Sequence, residues 1–193
     1  MNYIIFDLEA TCVQSHYSTP NQSGRMRMMP AAKVFQNEII EIGAIKVNDE
    51  AKIVDEFSMF IKPIINPELS AFCKQFTTIT QEDVDKAVGF SSVLHEFREW
   101  IGNDYILCSW GLYDKNQLKK DCELHNLETG WMDNHISLKH QHGNKVIQRK
   151  PVGMERALKQ AGLKLQGTHH RGIDDARNIA QIFIRYFDVW DLP

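Results

Sequence analysis

Asp7 and Glu9 stand two residues apart in the opening stretch Tyr-Ile-Ile-Phe-Asp-Leu-Glu-Ala-Thr-Cys. Successive side chains of a strand alternate faces, so both carboxylates point the same way at the carboxyl end of that segment. Like charges so close repel, and one keeps its proton unless a cation neutralises the pair. Hard divalent cations take oxygen ligands, and Mg2+ is commonly held by one or two carboxylates together with a substrate phosphate. Taken alone, such a pair is more often a solvated strand end.

Two further clusters carry comparable chemistry. Asp114 follows the strand-like Tyr105–Ser109 and the turn Trp-Gly-Leu-Tyr, where a helix begins. Its position alone favours an N-cap, which aspartate fills well. The run His169-His170-Arg171-Gly172-Ile173-Asp174-Asp175 presents two histidines on a glycine-containing loop and two acids opening the last helix. Acids in a first helical turn are ordinarily explained by the macrodipole. Each cluster therefore has a structural reading of its own.

The elements that must position these residues are legible in the hydrophobic pattern. Short apolar runs at residues 3–8, 38–47 and 56–61 predict an opening meander of three strands. From Pro67 onward Leu69, Phe72, Cys73 and Phe76 recur at helical spacing, and a second helix is expected over residues 91–101. A strand at 105–109 precedes a turn at Gly111 and a polar helix from Asp114 to about His125, and helices over 152–161 and 174–187 close the chain. Residues 131–150 give no clear pattern. Strands interleaved with helices in this order imply an α/β three-layer domain built on a mixed sheet. The polar segment 13–36, carrying Pro20, Gly24, Arg25, Arg27 and Pro30, reads as a flexible insertion, either a disordered connector or a basic lid over a groove.

At 193 residues and 43% hydrophobic content, the chain fits one domain with one substantial core. No apolar run approaches the roughly 20 residues that span a bilayer, and nothing resembles a signal peptide. A soluble, cytoplasmic protein is expected. Cys12, Cys73, Cys108 and Cys122 form no CxxC pair, which fits reduced thiols. The net charge of −3 argues against coating nucleic acid by bulk electrostatics, so any such contact is local. Lys119, Lys120, Lys145, Arg149 and Lys150 are candidates for it.

Together the clusters form a pattern. Asp and Glu on a first strand, an Asp after a later strand, and a His five residues before a final Asp resemble the DEDDh exonuclease superfamily, of RNase H-like fold. Phe-Asp-Leu-Glu-Ala-Thr-Cys, Glu-Ile-Ile-Glu-Ile-Gly, Ser-Trp-Gly-Leu-Tyr-Asp and His-Arg-Gly-Ile-Asp-Asp-Ala-Arg-Asn-Ile-Ala are similar to the histone-mRNA and RNA-interference-enhancing branch, and to bacterial sporulation-inhibitor-type exonucleases. The match runs over about residues 3–187, and segment 13–36 departs from it by its length.

Both His169 with Asp174 and His170 with Asp175 satisfy the five-residue offset, so spacing does not choose between them. The family pattern places a small residue after the final Asp, and Ala176 follows Asp175. Asp175 also lies one turn before Ile179, near the side of the helix expected to be buried, with Asp174 rotated away by about 100°.

The resemblance implies two-metal phosphodiester hydrolysis from a 3′ end with two divalent cations, Mg2+ or Mn2+. Asp7, Glu9, Asp114 and Asp175 would be the ligands and His170 the general base. It further implies that the backbone at Ala10 and Thr11 meets the terminal ribose, and Phe76 and Tyr113 are candidates to stack bases. Helix core is the competing reading for Phe76. The implied partner is a single-stranded 3′ end of RNA, with DNA as the alternative. A catalytically idle protein that inhibits a partner is the rival of another class. A zinc site at His140 and His142, or at Cys12 and His16, fits no familiar spacing.

Overall fold

The computed structural model describes residues 1–13 and 35–193. Most of the expected 13–36 insertion, with both readings proposed for it, lies outside the described residues, as does His16.

Five strands form one mixed sheet in the order β3-β2-β1-β4-β5. β1 (Asn2–Ala10), β2 (Ile39–Asn48) and β3 (Ile53–Phe60) are the expected antiparallel meander. β4 (Tyr105–Ser109) runs parallel to β1, and β5 (His135–Ser137) runs parallel to β4. The short β5 falls in the stretch without a readable pattern, because three residues show no periodicity.

Both faces of β1 are covered, and the two-residue alternation sorts its side chains. Tyr3 and Ile5 enter a core that includes Ile179, Ile182 and Phe183 of α7 (Gly172–Arg185). Ile4, Phe6 and Leu8 enter a second core on the opposite face, with Phe97 of α3 (Phe90–Ile101) and Leu118 of α4 (Tyr113–Leu124). A third cluster, Ile40, Leu69, Cys73, Ile79 and Val84, joins β2 to α1 (Ala71–Thr77) and α2 (Gln81–Lys86). The helices sandwich the sheet, as the three-layer expectation requires.

Local chemistry sets several boundaries. α1 begins at Ala71 rather than near Pro67, because the Ser70 hydroxyl accepts the Cys73 N–H and caps it. α2, which the pattern did not reveal, opens on a reciprocal capping box between Thr80 and Asp83. α7 begins at Gly172, two residues before the expected start. Between β5 and α6 (Met154–Gln160), α5 (Leu138–Gln141) passes into a π-helical turn, His142–Val146. Among the described residues no helix is long and apolar enough to cross a membrane.

Candidate active site

Asp7 and Glu9 continue the same side of β1 as Tyr3 and Ile5, so they face α7. The strand ends there in a register shift between Glu9 and Ala10. Helix α7 reaches the sheet through a glycine contact. A Cβ built on Gly43 of β2 would lie 2.1 Å from the Gly172 carbonyl carbon, so only glycine permits this approach. Gly43 pairs with Asp7 across the ladder. The N-terminal turn of α7 is thereby laid against the acidic end of β1.

Glu41 fixes the other side of that turn. Its carboxylate is fully buried and accepts hydrogen bonds from the Gly172 N–H at 3.0 Å and the Arg171 Nε at 3.1 Å. The Arg171 guanidinium in turn lies over the Phe60 ring, 5.1 Å from its centroid. Sequence reasoning did not single out Glu41, Arg171, Gly43 or Gly172 as site-forming residues. The burial of a charged residue on an isoleucine-rich strand was the available signal for Glu41.

The outcome is a cavity of about 360 Å3 whose lining includes Asp7, Glu9, Ala10, Phe76, Tyr113, Asp114, His169, His170 and Asp175. One ligand atom each from Asp7, Glu9 and Asp175 lie within 4.8 Å of one another, and His169, His170 and Asp175 form a second such group. Asp114 enters from the far side as the second residue of α4. Leu112, not Asp114, holds the cap position, so the capping reading of Asp114 is corrected. Because β4 is parallel to β1, the helix that follows it starts beside the carboxyl end of β1.

The two aspartates of α7 have separate surroundings. Asp174 points away from the cavity, accepts the Thr168 N–H at 2.8 Å and receives Arg177 at 3.0 Å. Asp175 accepts the His170 N–H at 3.1 Å through Oδ2, while its Oδ1 is buried without a hydrogen-bond partner. His170 adopts a left-handed φ of 66°, which is costly for a side chain with a Cβ and is held here by that hydrogen bond. Its imidazole stacks on Phe76, with ring centroids 3.8 Å apart. Both histidines of the pair line the cavity.

Phe76 is 42% exposed, so the helix-core reading fails for it. Cys73 and Thr77, not Phe76, fill the buried side of α1. Tyr113 is exposed at the rim. Thr11 does not line this cavity. Its N–H donates to the Glu38 carbonyl and its hydroxyl accepts the Glu38 N–H, so it braces the strand end from behind. Lys145 pairs with Asp191 at 2.5 Å, away from the cavity, and none of Lys119, Lys120, Arg149 and Lys150 lines it. His140 bonds the Ser137 hydroxyl and His142 is buried, and the two share no metal-type cluster among the described residues.

Crowded, buried carboxylates resist ionisation. Burial, then Asp114, Glu9 and Asp175, hold Asp7 well above the usual carboxylate range. Burial, followed by Asp175, pushes Glu9 up to about 9. Burial raises Asp114 to about 7 despite stabilising backbone hydrogen bonds, including one from Leu8. Burial raises Asp175 too. Burial and the neighbouring His169 lower His170, which favours the neutral imidazole. A divalent cation relieves this repulsion, and the unpartnered Asp175 Oδ1 together with an all-oxygen donor set fits one.

The exonuclease family, RNase T, matches residues 4–183. The 3′-5′ exoribonuclease 1 of Rattus norvegicus is 31% identical over 192 residues, covering 94% of this chain and 51% of that protein. A probable 3′-5′ exonuclease of Bacillus subtilis (strain 168), KapD, is 28% identical, covering 93% of this chain and 82% of its own. Among solved structures, the nuclease domain of 3′hExo, a DEDDh family member bound to rAMP, superimposes with a TM-score of 0.82 at 29% identity. It covers 97% of this chain and 92% of that one. The chain spans about half the length of the rat protein.

Proposed function

Since the chain belongs to the exonuclease family that matches residues 4–183, we propose that it is a metal-dependent 3′→5′ exonuclease acting on single-stranded 3′ ends, RNA in preference to DNA. The observation that carries this reading is the convergence of Asp7, Glu9 and Asp175 within 4.8 Å, in the cavity that also holds His170. The preference for RNA rests on likeness to the exoribonuclease and to the nuclease domain solved with rAMP. Residues 1–193 act as one catalytic unit in this reading.

Asp7, Glu9, Asp114 and Asp175 are the residues that hold the cations, two of Mg2+ or Mn2+. When bound, such ions activate water and neutralise charge on the phosphate oxygens. His170, kept neutral by burial, takes the proton of the attacking water. Asp175 orients it by accepting the His170 backbone N–H, which fixes the loop rather than the imidazole itself. Phe76 and Tyr113 offer aromatic faces on which terminal bases stack without regard to sequence. The Ala10 backbone lies at the cavity wall where a terminal sugar would sit, with Thr11 bracing it.

Digestion of matched 3′-labelled RNA and DNA oligomers with Mg2+, Mn2+ or EDTA tests the proposal. The expected result is metal-dependent release of mononucleotides, faster from RNA. Cleavage that persists in EDTA refutes the chemistry, and equal rates on both polymers refute the RNA preference.

A further inference from the structure

Cys12 and Cys73 come from segments far apart in sequence and meet beside the acidic cavity. The Ser70 hydroxyl donates to the Cys12 carbonyl at 2.6 Å and accepts the Cys73 N–H at 2.9 Å, so one side chain bridges the two backbones. Cys73 Sγ lies 3.8 Å from the Ala10 carbonyl oxygen, and Cys12 packs against the buried cluster to which Cys73 belongs. Cys73 is fully buried, whereas Cys12 is half-buried and lines both the acidic cavity and the adjoining one around Asn66 and Ser70. Cys108 and Cys122 are buried in the two cores on opposite faces of the sheet, each without another cysteine in its core.

From this geometry we propose that Cys12 and Cys73 are a redox-sensitive pair that closes into a disulfide under a peroxide oxidant and thereby restrains the wall of the cavity. The exposed sulfur meets the oxidant and the buried one resolves it. Cys12 Sγ attacks one oxygen of hydrogen peroxide, the O–O bond breaks, and the departing hydroxide takes the Cys12 thiol proton and leaves as water. Cys73 Sγ then attacks the Cys12 sulfenic acid, forming the S–S bond as the hydroxyl leaves with the Cys73 proton as water. The balance is two thiols and one peroxide to one disulfide and two waters. The mutual contact of the two cysteines pulls the Cys73 thiol down to about 7 while Cys73 and burial push the Cys12 thiol up, so the thiolate character sits on Cys73, the sulfur that resolves the sulfenic acid.

The bond would tie residues 10–12, which directly follow Asp7 and Glu9, to α1, whose Phe76 stacks on His170. Ala10 and Phe76 would lose freedom relative to each other where a terminal nucleotide enters. The consequence for catalysis rests on the exonuclease reading, whereas formation of the bond does not.

The test treats the full chain with hydrogen peroxide, maps its peptides without reduction, and assays matched samples on 3′-labelled RNA before and after dithiothreitol. Expected are a loss of two hydrogens in intact mass, a peptide joining Cys12 to Cys73, and a several-fold loss of RNA degradation restored by dithiothreitol. C12S should give neither the linked peptide nor the reversible loss, relative to its own untreated activity, with circular dichroism confirming that it is folded. Sulfinic acid on Cys12 beside a free Cys73 would overturn the proposal, as would a link through Cys108 or Cys122. A disulfide formed with unchanged activity in an active enzyme would overturn its bearing on the cavity. If the protein degrades no nucleic acid in either state, the mapping still decides whether the pair forms, so the two readings fail separately.

Discussion

Gly43 of β2 and Gly172 of α7 meet backbone to backbone, and that contact sets how near Asp175 comes to Asp7 and Glu9. A Cβ on Gly43 would fall 2.1 Å from the Gly172 carbonyl carbon and from the Ile173 nitrogen, whereas a Cβ on Gly172 would meet nothing nearer than 3.2 Å.

The asymmetry predicts unequal damage from one methyl group. Gly43→Ala must push the first turn of α7 off the sheet, and overpacking of this kind costs about 1–3 kcal/mol or more. Gly172→Ala should cost less. Denaturant unfolding of both variants, with nuclease assays alongside, checks this, and equal midpoints for Gly43→Ala and the parent would exclude the wedge.

Glu41 accepts from both Arg171 and the Gly172 N–H while fully buried. Glu41→Ala leaves those donors unpaired, and the expected loss is about 2–3 kcal/mol, moderated because Arg171 is partly exposed. Arg171→Ala leaves a buried carboxylate with one donor fewer and should be comparably harmful. A double variant losing less than the sum of the two singles would show that they act on each other.

The crowded acids make metal-free stability depend on pH. Glu9 is raised to about 9 and Asp114 to about 7, with Asp7 and Asp175 raised as well. These groups bind more protons folded than unfolded, so they destabilise the fold progressively as pH rises from their unfolded values near 4 through their folded ones. In EDTA these acids should therefore lower Tm between pH 5 and pH 8. Mn2+ should raise Tm more at pH 8 than at pH 6, since fewer protons remain to be displaced. A Tm increment that does not grow with pH would contradict the ligand assignment.

Asp174 and Asp175 should separate cleanly. Asp175→Asn removes one of the mutually repelling charges, so it should abolish activity and the Mn2+ increment while leaving metal-free stability equal or higher at pH 8. Asp174→Asn should retain the increment but lose stability through its contacts with Thr168 and Arg177, by about 1 kcal/mol. Calorimetry with and without Mn2+ reads both, and the opposite pattern would move the ligand role to Asp174.

His170→Ala should lower kcat by about 10²-fold or more, the range for a lost general base, with the Mn2+ increment retained. His169→Ala should lower it far less. Should His169→Ala be the inactive variant while His170→Ala turns over, the proton acceptor is His169.

The order of the acids, the three-strand meander and the shared face of Asp7 and Glu9 were legible in the sequence, because alternation along a strand and periodicity around a helix are local properties. So was the closing helix, whose buried side is marked by Ile179 and Phe183. Three-residue β5 was not legible, since it carries no period, and α2 is announced only by its capping residues. Spacing alone left two histidine–aspartate pairs, between which only Ala176 and the family pattern favoured His170 with Asp175, and position alone read Asp114 as a cap and left helix core as the competing reading of Phe76. The tertiary structure sent Asp174 to its own loop and Asp175 to the cavity, and it left Phe76 exposed against His170. It also gave Gly43, Glu41 and the Cys12–Cys73 contact their meaning. Each depends on how closely two segments distant in the chain approach, and that distance is set by packing across the sheet rather than by any pattern along the strand.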